Sequence, residues 1–452
     1  MQEIPAAAGP PHPLRIAAMP VPSPSTDNAT RRRFLQQAGA AAALGALAVP
    51  RGVHADGAGT ETLKLGLVGC GGRGEGAVID ALTADPHVEL TAVGDTFADR
   101  AQACIERLRT NPKAAERVKV SPENVFPSGG PDFDSYKKVI DSGVDVVILA
   151  TPPHFRPDHL AYAVDKGKHV FVEKPVGVDV PGVKRVQETC ELATQKGLAI
   201  VSGLVWRADP GVIETVNRIR DGAIGDIIAI QSCYNAGTLW HRGDDPQWSR
   251  MEYQIRNWLY YAWLSGDHIN EQAIHSLDKV NWLLGDAPPE SAFGTGGRQQ
   301  RTDPKWGHIY DHHTVFYQFP NGVKSFFMCR QQDNTTNFVD EVVLGTKGRA
   351  RVLAKTIEGD KRWRYRGPSA DPYRQEHVNL FTGIRSGSPL NQGDYMCNST
   401  LTAVMGRMCT YTGREMTWDD LLASTETLGP KAYEWGDVPE PLVAIPGVTN
   451  LA

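Results

Sequence analysis

Leu63-Lys-Leu-Gly-Leu-Val68, running into Gly69-Cys70-Gly71-Gly72-Arg73-Gly74, is the stretch that decides the fold of this chain. A short apolar run that ends in G-x-G-x-x-G and leads into a helix-like segment opens a parallel α/β unit. Gly69 permits the tight turn, Gly71 lets the backbone approach a pyrophosphate, and Gly74 lets the helix pack closely on the strand. Gly72 and Arg73 stand at the helix N-terminus, where free N–H groups and the positive dipole end favour an anion. The next apolar run, residues 88–93, ends in Gly94-Asp95. An acid at that point accepts hydrogen bonds from adenosine ribose hydroxyls and repels a 2′-phosphate, so NAD is the expected cofactor and NADP the less favoured one. Plainer readings compete: a glycine-rich turn without a ligand, and Asp95 as a strand-end cap. Arg73 either neutralises phosphate charge or is simply solvated.

Outward from this unit the alternation continues. Apolar runs at 144–150, 169–172 and 198–201 are separated by amphipathic stretches, which predicts a parallel sheet covered by helices on both faces. The first of these runs leads into Thr151-Pro152-Pro153-His154 and the second into Glu173-Lys174-Pro175. Ligands bind at the carboxyl ends of the strands in such sheets. Thr151, Pro152, His154, Glu173 and Lys174 are therefore expected beside the nicotinamide half of the cofactor. Desolvation in that crevice lowers a lysine's pKa and suits it to polarising a hydroxyl or carbonyl. After residue 225 the period changes to two, as in 314–319 and 323–328, joined by Pro320-Asn321-Gly322, a hairpin signal.

Composition excludes several classes. The 452 residues suffice for two domains, and 41 % apolar with 8 % aromatic residues argues against global disorder. A net charge of −5 gives no long-range reason to bind nucleic acid or an anionic membrane. No run reaches the roughly 18–20 apolar residues of a membrane-spanning helix, so stable membrane insertion is not expected. Seven cysteines, none in C-x-x-C, argue against a disulfide scaffold or a zinc ribbon.

The first residues read as an address. Arg31-Arg32-Arg33-Phe34-Leu35 precedes an Ala-, Gly- and Leu-rich stretch at 38–49, and Val53-His54-Ala55 offers a small-residue cut site. The order resembles the twin-arginine (Tat) export signal, with the Tat machinery as a transient partner and the periplasm as destination. A basic disordered tail before a short helix is the alternative. Export of an already folded protein suits a chain that loads its cofactor, and keeps its thiols reduced, in the cytoplasm.

The set of motifs, from the twin arginines through G-x-G-x-x-G, Asp95, Thr151-Pro152 and Glu173-Lys174-Pro175, resembles the Gfo/Idh/MocA family (glucose–fructose oxidoreductase and myo-inositol 2-dehydrogenase). Residues 218–226, Gly266-Asp-His-Ile-Asn-Glu271-Gln-Ala-Ile-His275-Ser-Leu-Asp278, Gly345-Thr-Lys-Gly348 and Tyr411 to Trp418 are similar too. The resemblance implies an α/β protein in which a Rossmann parallel sheet precedes an α/β domain with an open, mostly antiparallel sheet. The expected divisions are 1–55 for the leader, 56–203 for the NAD-binding domain and 204–452 for the substrate and oligomerisation domain.

It also implies a sugar or polyol substrate, an active-site lysine at Lys174, a general base at His275 and a homo-oligomer. Glu271 stands where the family usually has Asp, and its extra methylene moves the carboxylate by about 1.5 Å. Glu271 and His275 are spaced i, i+4, which predicts one shared helix face. Half of a metal site is the competing reading, with His308, His312 or His313 as third ligand. His312 and His313 fall on opposite faces of a strand, so only one of them reaches any cleft. His268 is a further cleft candidate. The expected activity is NAD-dependent oxidation of a carbinol. The alternatives are a redox-neutral glycosidase or epimerase that retains NAD, and a non-catalytic NAD- and sugar-binding protein.

Overall fold

The computed structural model describes residues 59–450. The twin arginines, the apolar stretch and the cut site lie outside the described residues.

The chain from Leu63 alternates as expected: β1 (Leu63–Val68), α1 (Gly72–Ala84), β2 (Val88–Gly94), α2 (Ala98–Thr110), β3 (Val125–Phe126), α3 (Ser135–Asp141), β4 (Val146–Leu149), α4 (Arg156–Asp165), β5 (His169–Val172), α5 (Val180–Gln195) and β6 (Ile200–Ser202). All neighbouring strands pair in parallel, in the order β3-β2-β1-β4-β5-β6. Burial on both faces explains the uninterrupted apolar strands: all four residues of β4 are buried. The strand order reverses between β1 and β4, so the turns that follow these two strands flank one crevice.

The second half builds a nine-stranded sheet. After α6 (Pro210–Arg220) come β7 (Ile227–Ala236), α7 (Arg250–Arg256), α8 (Ala262–Ser265), α9 (Asp267–Glu271) and α10 (Ile274–Leu283). Seven further strands follow: β8 (Ser291–Gly297), β9 (His312–Gln318), β10 (Lys324–Gln331), β11 (Phe338–Gly345), β12 (Gly348–Arg351), β13 (Thr356–Glu358) and β14 (Trp363–Arg364). Then come α11 (Pro372–Arg385), α12 (Gly393–Thr412), β15 (Met416–Thr417) and α13 (Trp418–Ala423).

The strand order is β14-β13-β12-β11-β7-β10-β9-β8-β15, antiparallel except for the central β7–β10 pair. The hairpin between β9 and β10 turns at Pro320–Gly322, with Asn321 in the left-handed region at φ 66°. Along β10, Ser325, Phe327 and Cys329 face inward and are buried, whereas Lys324, Phe326 and Met328 face out. The inner face packs against α10 and α12, and α12 is buried almost all round.

The first sheet uses only residues before 203 and the second only residues after it, but the helices do not respect that division. α11 returns to pack on α1, where Arg385 pairs with Asp85 at 2.5 Å. Asn391 bridges to Ile200 at the edge of β6. All seven cysteines are buried free thiols. Among the described residues no helix is long and apolar enough to cross a membrane.

Candidate active site

Geometry accounts for four glycines of the first turn in two different ways. Gly69 has φ +97°, and a Cβ there would lie 2.6 Å from the Ala150 carbonyl carbon, so the turns after β1 and β4 touch. A Cβ on Gly74 would meet the Gly69 oxygen. Gly71 and Gly72, by contrast, face open space. Protein packing therefore does not demand glycine at 71 or 72, whereas close approach of a bulky anion does. Gly71 is the N-cap of α1 and supplies no side chain to satisfy its first-turn amides. This cradle fits a dinucleotide pyrophosphate.

Asp95 stands at the end of β2, across the same turn. Its Oδ2 accepts from the Cys70 amide at 2.8 Å and Oδ1 from the Phe97 amide at 3.1 Å. It is a strand-end cap, and each oxygen keeps a lone pair for a ribose hydroxyl. Burial raises its pKa against the pull of Arg100 and these two amides. Arg73 is not simply solvated. Its Nε pairs with Glu173 Oε1 at 2.5 Å, Nη1 lies 3.4 Å from Asp80, and the guanidinium sits over the Tyr373 ring of α11. It ties the glycine turn to the β5 turn instead of standing free in water.

The β5 turn is held from three sides. Arg156 Nη1 donates to the Pro175 carbonyl at 2.5 Å, Asn270 Nδ2 to the Gly177 carbonyl at 3.0 Å, and Thr400 Oγ1 accepts from the Val176 amide at 3.3 Å. Glu173 is buried between Arg73 and Gly203, where a Cβ would come within 2.6 Å of its Oε2. Lys174 is thereby aimed at one place: Nζ donates to the Glu271 carbonyl at 2.5 Å and to Glu271 Oε1 at 3.1 Å. Both side chains remain partly accessible.

The expectation that Glu271 and His275 share a helix is corrected. α9 ends at Glu271 and α10 begins at Ile274, with Gln272 and Ala273 between them. Consecutive left-handed residues, Gly266 at φ 74° and Asp267 at φ 70°, start α9, and Asn270 tethers it to the β5 turn. This local anchoring outweighs the propensity for one continuous helix, and the partner of Glu271 is Lys174. His275 opens α10 half-buried, its Nδ1 without a hydrogen-bond partner among the described residues. Burial, then the positive charges of Lys174, Lys279 and Arg73, hold the imidazole well below its ordinary pKa. The ring is neutral near pH 7, as a proton acceptor must be.

At the β4 turn, Thr151 Oγ1 meets His159 Nδ1 at 3.3 Å, and Pro152 precedes a single 3₁₀ turn at Pro153–Phe155. His154 Nε2 meets the Tyr433 hydroxyl at 2.7 Å, and burial pushes its pKa down to about 4. Tyr433 and Trp435, which sequence reasoning missed, stack on Phe133 beside this crevice. Their one signal was an aromatic pair in an otherwise polar C-terminal segment.

A second acid–histidine cluster lies four residues upstream of Glu271. Asp267, His268 and His313 converge closely enough to hold an ion, and they are the one such group among the described residues. The metal reading built on Glu271 and His275 therefore does not gather its third ligand. Asp267 Oδ2 accepts from Tyr411 at 2.6 Å and the Tyr310 amide at 2.9 Å, and Oδ1 faces His268 Nδ1 at 2.8 Å. His313 Nδ1 meets Thr410 Oγ1 at 2.9 Å, and His312 turns away to Asp311. His268 is a buried partner of Asp267 and not a cleft residue.

Residues 63–202 match the oxidoreductase family with the NAD-binding Rossmann fold, and residues 213–351 match the GFO/IDH/MocA C-terminal domain. The chain belongs to the Gfo/Idh/MocA family. It is 28 % identical over 222 residues to 2,7-anhydro-N-acetylneuraminate hydratase of Escherichia coli (strain K12), a match to 48 % of this chain and 54 % of that one. The chain thus spans about half the length of that relative. Inositol 2-dehydrogenase 3 of Saccharopolyspora erythraea is 24 % identical over 364 residues, covering 76 % of this chain and 93 % of its own. The fold is also that of levoglucosan dehydrogenase in complex with NADH and levoglucosan, with a TM-score of 0.60 and 16 % identity over 79 % of this chain and 99 % of that one.

Proposed function

We propose that the protein oxidises a carbinol of a sugar or polyol with NAD, after export by the Tat route. The observation that carries this reading is the convergence of Lys174, Glu271 and His275 at the carboxyl edge of the Rossmann sheet. Bound NAD supplies the hydride-accepting ring. The protein's own residues do the rest. His275 takes the hydroxyl proton at its unpartnered Nδ1, for which the lowered pKa keeps it ready. Lys174, released from one of its two bonds to Glu271, stabilises the developing alkoxide. Glu271 keeps the ammonium pointed into the cleft. Asp95, presenting a fixed carboxylate, favours ribose hydroxyls over a 2′-phosphate.

Export constrains the net reaction, because free NAD is not replenished outside the cytoplasm. A retained cofactor is recycled, either by a second substrate that reoxidises it or within a redox-neutral sequence. A relative named as a hydratase, whose net reaction is addition of water, favours keeping the redox-neutral reading as the second one. The outer face of the second sheet presents Phe293, Phe316 and Phe326 in register across β8, β9 and β10, all substantially exposed. A second copy of the chain covers this face in the proposed homo-oligomer, and Phe316→Asp would then lower the mass seen by light scattering.

Protein purified from the periplasm is expected to carry near-stoichiometric NAD through dialysis. Adding a suitable sugar should give a reduced-nicotinamide absorbance that rises and decays. Replacing Arg31 and Arg32 by Lys should leave the loaded precursor inside. Protein that arrives empty and turns over only with a continuous supply of NAD would overturn the retention argument.

A further inference from the structure

The run Lys361-Arg362-Trp363-Arg364-Tyr365-Arg366 alternates basic and aromatic residues at the free edge of the nine-stranded sheet, on and just beyond β14. It forms one wall of an open groove of about 890 Å³, whose other wall is α6. None of the groove's lining belongs to the candidate active site. Its volume lies in the upper part of the roughly 300–1,000 Å³ range of small-molecule sites, room for a short oligomer.

The electrostatics of this wall differ from the rest of the surface. Arginines elsewhere are mostly held by carboxylates, as in the Arg185–Asp158, Arg250–Glu440, Arg256–Asp99 and Arg385–Asp85 pairs. The two glutamates in the groove are already engaged: Glu214 with Arg218 at 2.7 Å, and Glu358 with Arg349 at 2.8 Å. Arg362, Arg364 and Arg366 line the groove, are exposed, and have guanidinium groups without an ion-pair or hydrogen-bond partner among the described residues. The segment 360–366 carries one acid, Asp360, against these three arginines and Lys361. A chain of net charge −5 thus concentrates unpaired positive charge in one groove.

Each aromatic residue of the wall is held by a neighbour. The Arg218 guanidinium lies 4.7 Å from the centre of the half-buried Trp363 ring, and Tyr365 is fixed by its hydroxyl donating to the Pro368 carbonyl at 2.8 Å. Aromatic rings between planar guanidinium forks suit a ligand with apolar ring faces and repeated carboxylate or sulfate groups.

We infer that this groove is a docking site for an acidic oligosaccharide, separate from the site of hydride transfer. The choice of a glycan over a nucleic acid rests on the sugar-directed reading above; the anion recognition itself rests on the groove alone. Docking there would hold an acidic polymer, or the protein on it, while small units react elsewhere.

Polygalacturonate serves as the probe, with neutral dextran and single-stranded DNA as controls, in calorimetric titration and affinity electrophoresis of the full protein. Expected is binding to polygalacturonate that weakens with added salt and falls at least tenfold in the triple variant Arg362→Gln, Arg364→Gln, Arg366→Gln. Dextran should not bind. NAD binding and turnover of a small sugar should be unchanged in the variant, which shows that it is folded. No binding to polygalacturonate, equal binding by the variant, or tighter binding to DNA than to polygalacturonate would each overturn the inference. Failure of sugar turnover with arginine-dependent polygalacturonate binding intact would count against the proposed reaction and leave the groove standing.

Discussion

Two acid–histidine clusters sit a few residues apart on one segment, and they have opposite fates. Asp267, His268 and His313 are wholly buried, and every Asp267 oxygen is met by hydrogen-bond donors from Tyr310, Tyr411 or His268. Burial disfavours the ionised Asp267, but His313 and His268 outweigh it and hold the carboxyl well below its usual range. Lys174, Glu271 and His275 are partly accessible and incompletely paired, with a buried imidazole nitrogen left open. Neither residue type nor an open imidazole nitrogen separates the two clusters, since His313 Nε2 also lacks a hydrogen bond, 3.3 Å from Asp267 Oδ2; burial and the engagement of the carboxylate do. The buried cluster, its carboxylate fully engaged, fixes α9 against β9 and α12. The partly accessible one stands at the strand ends, where the proposed substrate would bind.

The largest difference should appear in rate. Lys174→Ala and His275→Ala are each expected to lose about two to four orders of magnitude in kcat, with NAD affinity in calorimetric titration little changed. Near-normal turnover in either variant would remove that residue from the mechanism and blur the distinction drawn here.

Asp267→Ala should instead act on stability. Removing one member of a buried, charged cluster costs about 3–5 kcal/mol, read as a lower denaturation midpoint. The folded fraction should keep its turnover far better than the Lys174 variant does. A catalytic loss as large as that of Lys174→Ala, without a stability change, would move Asp267 into the active site.

The pH profile sharpens the same contrast. In the proposed role His275 acts when neutral, and its folded pKa lies below the ordinary value of about 6.5. Activity should therefore persist as pH falls through 6.5 and decline only at lower pH, where the ring gains a proton. In His275→Gln that acid limb should vanish from the residual rate. An acid limb centred above pH 6.5 would contradict the assignment.

The smallest effect concerns cofactor choice. Wild-type protein should bind NAD more tightly than NADP, and Asp95→Ala should narrow the gap while slightly loosening the turn, since Asp95 also receives the Cys70 and Phe97 amides. Tighter NADP binding by the unmodified protein would sink the role given to Asp95.

The glycine turn, the parallel sheet and the place of Lys174 just past β5 were legible because their signals are local: an apolar strand, a turn with a steric demand, a short motif at a strand end. The β9–β10 hairpin was legible for the same reason. What escaped depends on contacts across long stretches of chain. Arg73 meets Glu173, which lies 100 residues away, and nothing near Arg73 announces it. The break between α9 and α10 follows from Asn270 reaching Gly177, a tether invisible to helical periodicity. α11 returns to α1 with a pairing of Arg385 to Asp85, 300 residues apart. His313 was one of three equivalent histidines until the sheet register turned it inward.

The most direct test of the account is a single-turnover measurement of nicotinamide absorbance. NAD-loaded wild-type protein and His275→Ala, matched for bound NAD, are mixed with a panel of sugars and polyols. The account predicts a rapid rise in reduced nicotinamide for at least one substrate with the wild type, and a rise slowed by at least a hundredfold in the variant. A rise of equal rate in both, or none from any substrate with the NAD-loaded wild type, would contradict it.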